Sequence, residues 1–172
     1  MKWLLEQQPS IGTAVFIAPG ARVMGAVSIG DYSSVFYNSV VRADINTITI
    51  GARSNIQDNC TLHVADDFPV EVGMGVTVGH QVVLHGCRIE DNVTIGMGAV
   101  LMNGSHIARD SIVAAGALVT PGKSFPPGSL IMGQPAKSVR QLSDEEIAAN
   151  LAMAQKYITV QQRHREFLHS GG

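Results

Sequence analysis

The chain has only two cysteines, one tryptophan and 5% aromatic residues in 172 positions, and 15% of its residues are charged. Two thiols, Cys60 and Cys87, cannot make a disulfide framework, so a stapled secreted scaffold is excluded and a reducing cytoplasm is the expected compartment. Twelve Lys and Arg against fourteen Asp and Glu leave a formal charge of −2 with no basic cluster, which excludes the footprint of a nucleic-acid binder. No apolar run approaches the roughly 18 residues of a membrane-spanning helix. The apolar stretch in Met1-Lys2-Trp3-Leu4-Leu5-Glu6 is also too short for a secretory leader. What the chain does have is 45% hydrophobic residues and 18 glycines, enough for one domain with a core of small aliphatic side chains.

Those aliphatic residues recur with a fixed period. Steps of six from Ile11 reach Ile17, Val23, Ile29, Val35 and Val41; after a jump of nine come Ile50, Ile56 and Leu62. A jump of ten gives Val72, Val78 and Leu84, and a step of five leads to Ile89, Ile95, Leu101, Ile107, Val113 and Val119. A period of six fits neither a 3.6-residue helix nor an alternating hairpin meander. It fits short strands stacked as the faces of a triangular parallel β-helix, three hexapeptides to a coil and six coils in all. Glycines directly after the aliphatic site, as in Ile29-Gly30, Ile50-Gly51, Val78-Gly79 and Ile95-Gly96, are expected to make tight corners.

After Val119 the segment Pro121-Gly122-Lys123-Ser124-Phe125-Pro126-Pro127-Gly128 is rich in breakers and is expected to end the coils. Ser143 with Glu146 three residues on reads as a capping box, opening a helix whose Ile147, Leu151, Ala154 and Ile158 share a face and cover one side of the prism. The tail 163–172 is polar and expected to fray. The organisation is thus one domain, with repeats over 1–135 and a helix and tail over 136–172.

The register places chemistry. Arg42, His63 and His85 each follow the aliphatic residue of hexapeptides three apart and should stack in one column, about 4.8 Å between neighbours. On the preceding face Asp58 and His80 share the third position and make a second column. The phase slips after Val41, Leu62 and Leu84 all fall on the first of these faces, and insertions in solenoids collect on the working face. Stacked His63 and His85 can converge on one metal, while His80 lies around a convex corner and should point away. The simplest three-histidine site takes His80 from a neighbouring chain of a cyclic trimer, with Asp58 facing Arg42 across the interface. Three neutral imidazoles leave a fourth position for water, as in a catalytic zinc site. His106, His164 and His169 lack such a register and read as surface residues; Cys87 reads as a packed thiol, and Met97, Met102 and Met132 as filler.

Arg42-Ala43-Asp44, Asn55-Ile56-Gln57-Asp58, Leu62-His63-Val64, Val78-Gly79-His80 and Leu84-His85-Gly86-Cys87 together resemble the gamma-class carbonic anhydrase-like hexapeptide-repeat proteins. The exit motif Met132-Gly133-Gln134-Pro135-Ala136 is shared with hexapeptide acyltransferases. The resemblance implies a left-handed β-helix and a homotrimer with Zn2+, or another divalent metal such as Fe2+ or Co2+, at each subunit interface. It implies His63 and His85 of one chain and His80 of the next as ligands. Gln57 would hold the metal's water with Asn55 close by, and Arg42 and Asp58 would pair across the interface with Asp44 in support. The implied reaction is hydration of carbon dioxide to bicarbonate. The most active members carry glutamate where this chain has Ile45, and their acidic loop is represented only by the stretch holding Asp66, Asp67 and Glu71, so a slow proton exit is expected. An acyltransferase or acyl-CoA thioester hydrolase, and a metal-tied scaffold without catalysis, are the competing functions.

Overall fold

The computed structural model describes residues 3–171; Met1, Lys2 and Gly172, and with them the start of the stretch read for a leader, lie outside it. The chain winds as a parallel β-solenoid of about seven turns with one α-helix at the C-terminal end of the described residues. All eighteen aliphatic sites of the six-residue repeat stand in register. On the first face Ile11 pairs with Ile29, Ile29 with Ile50, Ile50 with Val72, Val72 with Ile89 and Ile89 with Ile107. On the second face Ile17, Val35, Ile56, Val78, Ile95 and Val113 follow one another. On the third face Val23, Val41, Leu62, Leu84, Leu101 and Val119 do the same. From Ile29 to Val119 nearly every one of these side chains is shielded from solvent, each contributing about 1.5–3 kcal/mol of apolar burial.

The coils do not stop at Val119. Ile107 pairs onward with Phe125 and Val113 with Ile131, adding two rungs to the six coils expected. The breakers serve as corners: Gly122 and Gly128 both take φ +69°, a conformation the chain needs at each bend. Winding ends where the strand Ala136–Gln141 folds back antiparallel on Ser129–Gly133.

Corner glycines after the aliphatic site have a different reason than expected. A Cβ on Gly30 would lie 2.6 Å from the Ala52 backbone nitrogen on the next coil, so these positions need closeness between coils rather than a left-handed turn. Buried hydroxyls satisfy the corners from inside: Ser33 and Ser54 donate to the carbonyls of Gly51 and Gly73, and their oxygens accept from the amides of Ser54 and Val76.

The helix α1 (Asp144–His169) begins at the expected capping box, Ser143 and Glu146 bonding to each other's backbone amides. It packs along the second face, against the strands Phe16–Ile17, Ser34–Val35 and Thr77–Val78. Its contact line is shifted from the expected one: Ala154 is buried and Ile147 and Ile158 half-buried as expected, but Leu151 is exposed, and Asn150 and Gln161 are buried. Corner carbonyls explain this. The Asn150 amide donates to Asn92 and Ser111, and that of Gln161 to Ala14 and Tyr32, so the helix sits on groups that need donors. Nor does the tail fray at residue 163. The Arg165 guanidinium donates to Ala14 and Val15, and His164 leaves the surface to join Phe16, Phe36 and Tyr37, its Nδ1 2.9 Å from the Tyr37 hydroxyl.

Candidate metal centre

The third face carries the first column as the repeat predicts. Arg42 on the strand Val40–Ile50 stands beside His63 on Thr61–His63, which stands beside His85 on Val83–His85. Residues after an inward aliphatic site point outward, so one strand spacing brings the two imidazoles together. Their rings meet with centroids 5.1 Å apart, and His63 Nδ1 lies 3.1 Å from His85 Nε2. The far nitrogen of each ring rests on an oxygen: His63 Nε2 is 3.0 Å from Asp44 Oδ1, and His85 Nδ1 is 2.5 Å from Asn103 Oδ1.

Asp44 is buried beneath this column and bonds also to the Arg42 guanidinium. Burial pushes its carboxyl up, but hydrogen bonds from His63 and Arg42 outweigh that and hold it below the ordinary carboxylate range. Asp44 therefore stays an anion behind His63. Its neighbour Ile45 is partly buried and packs against the core.

The second column also forms. Asp58 and His80 stand on successive coils, with His80 Nδ1 2.8 Å from Asp58 Oδ2. Gln57 and Asn55 lie buried on the second face, the Gln57 amide donating to Asn55 and the Asn55 amide to Thr77. The eight expected residues thus divide into two groups within one chain: Arg42, Asp44, His63 and His85, and Asn55, Gln57, Asp58 and His80. Arg42 pairs with Asp44 here and Asp58 with His80, rather than with each other. Among the described residues of one chain no three His, Cys, Asp or Glu side chains gather as a set of metal ligands.

Two ring nitrogens converge even so. Zinc–nitrogen bonds of about 2.0–2.1 Å at tetrahedral angles put neighbouring donors about 3.3–3.4 Å apart, close to the spacing of the two rings. Oxygens behind both imidazoles complete the pattern usual for metal-binding histidines. The donor set therefore fits half of a zinc site. Cys87 does not belong to it: the thiol is buried among core residues and burial pushes it up to about 12. Cys60, raised to about 11 by the same cause, donates its Sγ–H to the Gly79 carbonyl.

Asn103 escapes sequence reasoning because Asn103-Gly104 reads as an ordinary turn pair. Its one signal is that it falls 18 residues, a regular coil, after His85.

Residues 86–121 match the family model described as bacterial transferase hexapeptide (six repeats). Across 152 residues the chain is 47% identical to the "Probable carbonic anhydrase" of Methanocaldococcus jannaschii, covering 88% of this chain and 96% of that one. The chain belongs to the gamma carbonic anhydrase-like family of hexapeptide-repeat proteins. Gamma carbonic anhydrase 2 of Arabidopsis thaliana mitochondria is 42% identical over 94% of this chain, which spans about three fifths of that plant protein's length. A crystal structure of a Bacillus cereus member, provisionally described as an acetyltransferase, superposes with a TM-score of 0.91 at 37% identity, covering 94% of each chain. The family thus holds members named for two chemistries, and the histidine column must decide between them.

Proposed function

We propose that this chain hydrates carbon dioxide reversibly to bicarbonate, at a divalent metal held by His63 and His85 of one copy and His80 of a second copy in a homotrimer. The observation that supports it most is the convergence of His63 Nδ1 and His85 Nε2 at 3.1 Å, each ring backed by an oxygen. Zinc is the expected ion for an all-imidazole set, with Fe2+ or Co2+ as alternatives. When bound, the metal supplies the Lewis acidity that makes water a nucleophile near neutral pH.

The chain's own residues do the rest. Asp44, an anion under the column, holds the His63 ring by its Nε2 and is itself held by Arg42. Asp58 orients His80 through Nδ1, which leaves Nε2 to serve as the ligand toward another copy. Gln57 and Asn55 supply fixed amide groups to position water or bicarbonate where copies meet. The loop with Asp66 and Asp67 overhangs the same face, held by Asn46, whose amide donates to the carbonyls of Ala65 and Asp66. Assembly is required because His80 stands on a different column from the other two ligands. The expected pairing of Arg42 with Asp58 between copies would exchange the partners each has within the chain.

Metal analysis and oxygen-isotope exchange on the purified protein test this reading. One metal per chain, trimeric mass and exchange that vanishes in His63→Ala, His80→Ala and His85→Ala are expected. Full metal occupancy in a monomer would refute the shared site.

One observation favours a second reading. The His80–Asp58 pair, with one ring nitrogen free, is a general-base dyad of the kind an acyltransferase or acyl-CoA thioester hydrolase employs. Metal-independent consumption of acyl-CoA, lost in His80→Ala and retained in His63→Ala, would establish it. Stoichiometric metal with neither activity would identify a metal-tied scaffold.

A further inference from the structure

The two nitrogens that face each other between His63 and His85 cannot both carry a proton, and they are useful to a metal only if neither does. For His63 the buried carboxylate of Asp44 decides the matter, since an anion at 3.0 Å from Nε2 keeps the proton there and leaves the lone pair on Nδ1. For His85 no carboxylate bonds to the ring among the described residues. Its Nδ1 meets the side-chain carbonyl of Asn103, a neutral acceptor, at 2.5 Å.

We infer that Asn103 is a positioning residue that fixes His85 in the Nδ1–H tautomer, turning the Nε2 lone pair toward His63 Nδ1. The carbonyl oxygen only accepts, so the ring nitrogen facing it must donate. In the other tautomer Nε2–H would donate to His63 Nδ1 across the 3.1 Å gap, using up both nitrogens a metal needs, and Nδ1 would set a lone pair against the Asn103 oxygen.

Surrounding contacts hold Asn103 to this task. Its backbone carbonyl accepts from the Gly122 amide on the next coil. The side-chain oxygen lies only 2.9 Å from where a Cβ on Gly86 would stand, so the absence of a side chain beside His85 makes room for it. Phe68, from the overhanging loop, closes the same spot: its Cβ is 2.7 Å from that Gly86 position and its ring edge 3.0 Å from the corresponding one on Gly104. The loop, two glycines and an amide therefore form one packed unit whose product is the ring state of His85. Using a neutral acceptor here and an anion at His63 also gives this half-site a single negative charge from its backing groups.

The benefit to a metal rests on the function proposed above, but the tautomer is read without one. Two-bond nitrogen–proton correlation spectra of the 15N-labelled, chelator-stripped full chain distinguish the tautomers. His85 is expected as Nδ1–H in the unaltered protein; Nε2–H there would overturn the assignment with no variant needed. Asn103→Leu, nearly isosteric but lacking an acceptor, should release the preference and weaken zinc affinity about 10- to 100-fold in chelator competition. Asn103→Asp keeps an acceptor and should restore both the tautomer and most of the affinity. A folded Asn103→Leu protein whose His85 keeps its Nδ1–H tautomer would refute the role. If the unaltered chain shows the expected tautomer yet takes no metal, the proposed function fails and the positioning role stands.

Discussion

Adding one methyl group at Gly25 should damage both the fold and the half-site. Gly25 pairs with Ala43 in the ladder between the strands Arg22–Ile29 and Val40–Ile50, at φ +82°, and a Cβ there would lie 2.1 Å from the Ala43 carbonyl oxygen and 2.7 Å from its carbon. Both are backbone atoms, so no rotamer change relieves the overlap. Gly116, at φ +68° with no atom within 4 Å of the added carbon, is the matched control. A non-glycine residue in the left-handed region costs about 1–2 kcal/mol, which is all that Gly116→Ala should lose. Gly25→Ala adds an overpacking cost of about 1–3 kcal/mol, for a total of about 2–5 kcal/mol. Urea titrations followed by circular dichroism measure the two at equal m-value. Because Ala43 lies between Arg42 and Asp44, Gly25→Ala should also weaken zinc binding in chelator competition, and Gly116→Ala should not. Losses within about 0.5 kcal/mol of each other would show that the strand yields freely and refute the steric argument.

Arg42→Ala removes the cationic partner of Asp44 and should reduce metal affinity only in part while lowering trimer mass on dilution, checked by light scattering and metal analysis. Glu146, bonded to Arg140, has its carboxyl lowered to about 2 by that hydrogen bond. Its contribution is complete above the unfolded value of about 4.3 and is lost as pH falls through about 2. The melting temperatures of Glu146→Gln and the unaltered chain should therefore differ at neutral pH and converge in strong acid. If hydration is limited by proton exit, the rate should climb with imidazole-type buffer concentration. A fast, buffer-independent rate would assign the transfer to Asp66, Asp67 or Glu71. Ile45→Glu should destabilise the chain rather than speed it, since Ile45 packs on the core.

The column of Arg42, His63 and His85 was legible in the sequence because a solenoid converts spacing along the chain into position in space, and a period of six survives even three phase slips. Asn103 and the buried Gln161 were not, since both answer to polar groups that exist only after the coils have stacked: a ring nitrogen in one case and corner carbonyls in the other. The same cause shifted the helix face. Apolar periodicity selects Leu151, but the corner it would meet offers carbonyls instead of hydrocarbon. Pro121-Gly122 and Pro127-Gly128 look like an ending in the sequence, because the same residues that stop a strand also turn a corner. The expected pairing of Arg42 with Asp58 needs a second copy; within the chain Arg42 bonds to Asp44 and Asp58 to His80.

The ladder that pairs Leu62 with Leu84 acts as a ruler with only one graduation. His63 and His85 are separated along the axis by a single strand spacing, whether they stand 22 positions apart in the chain, as here, or more, because surplus chain is expelled sideways as a loop like the one carrying Phe68. Length change at this place is thus decoupled from ligand distance. Insertions between the two histidines can vary what overhangs the imidazole pair, its charge, its reach, its access to solvent, while the spacing of the rings stays fixed.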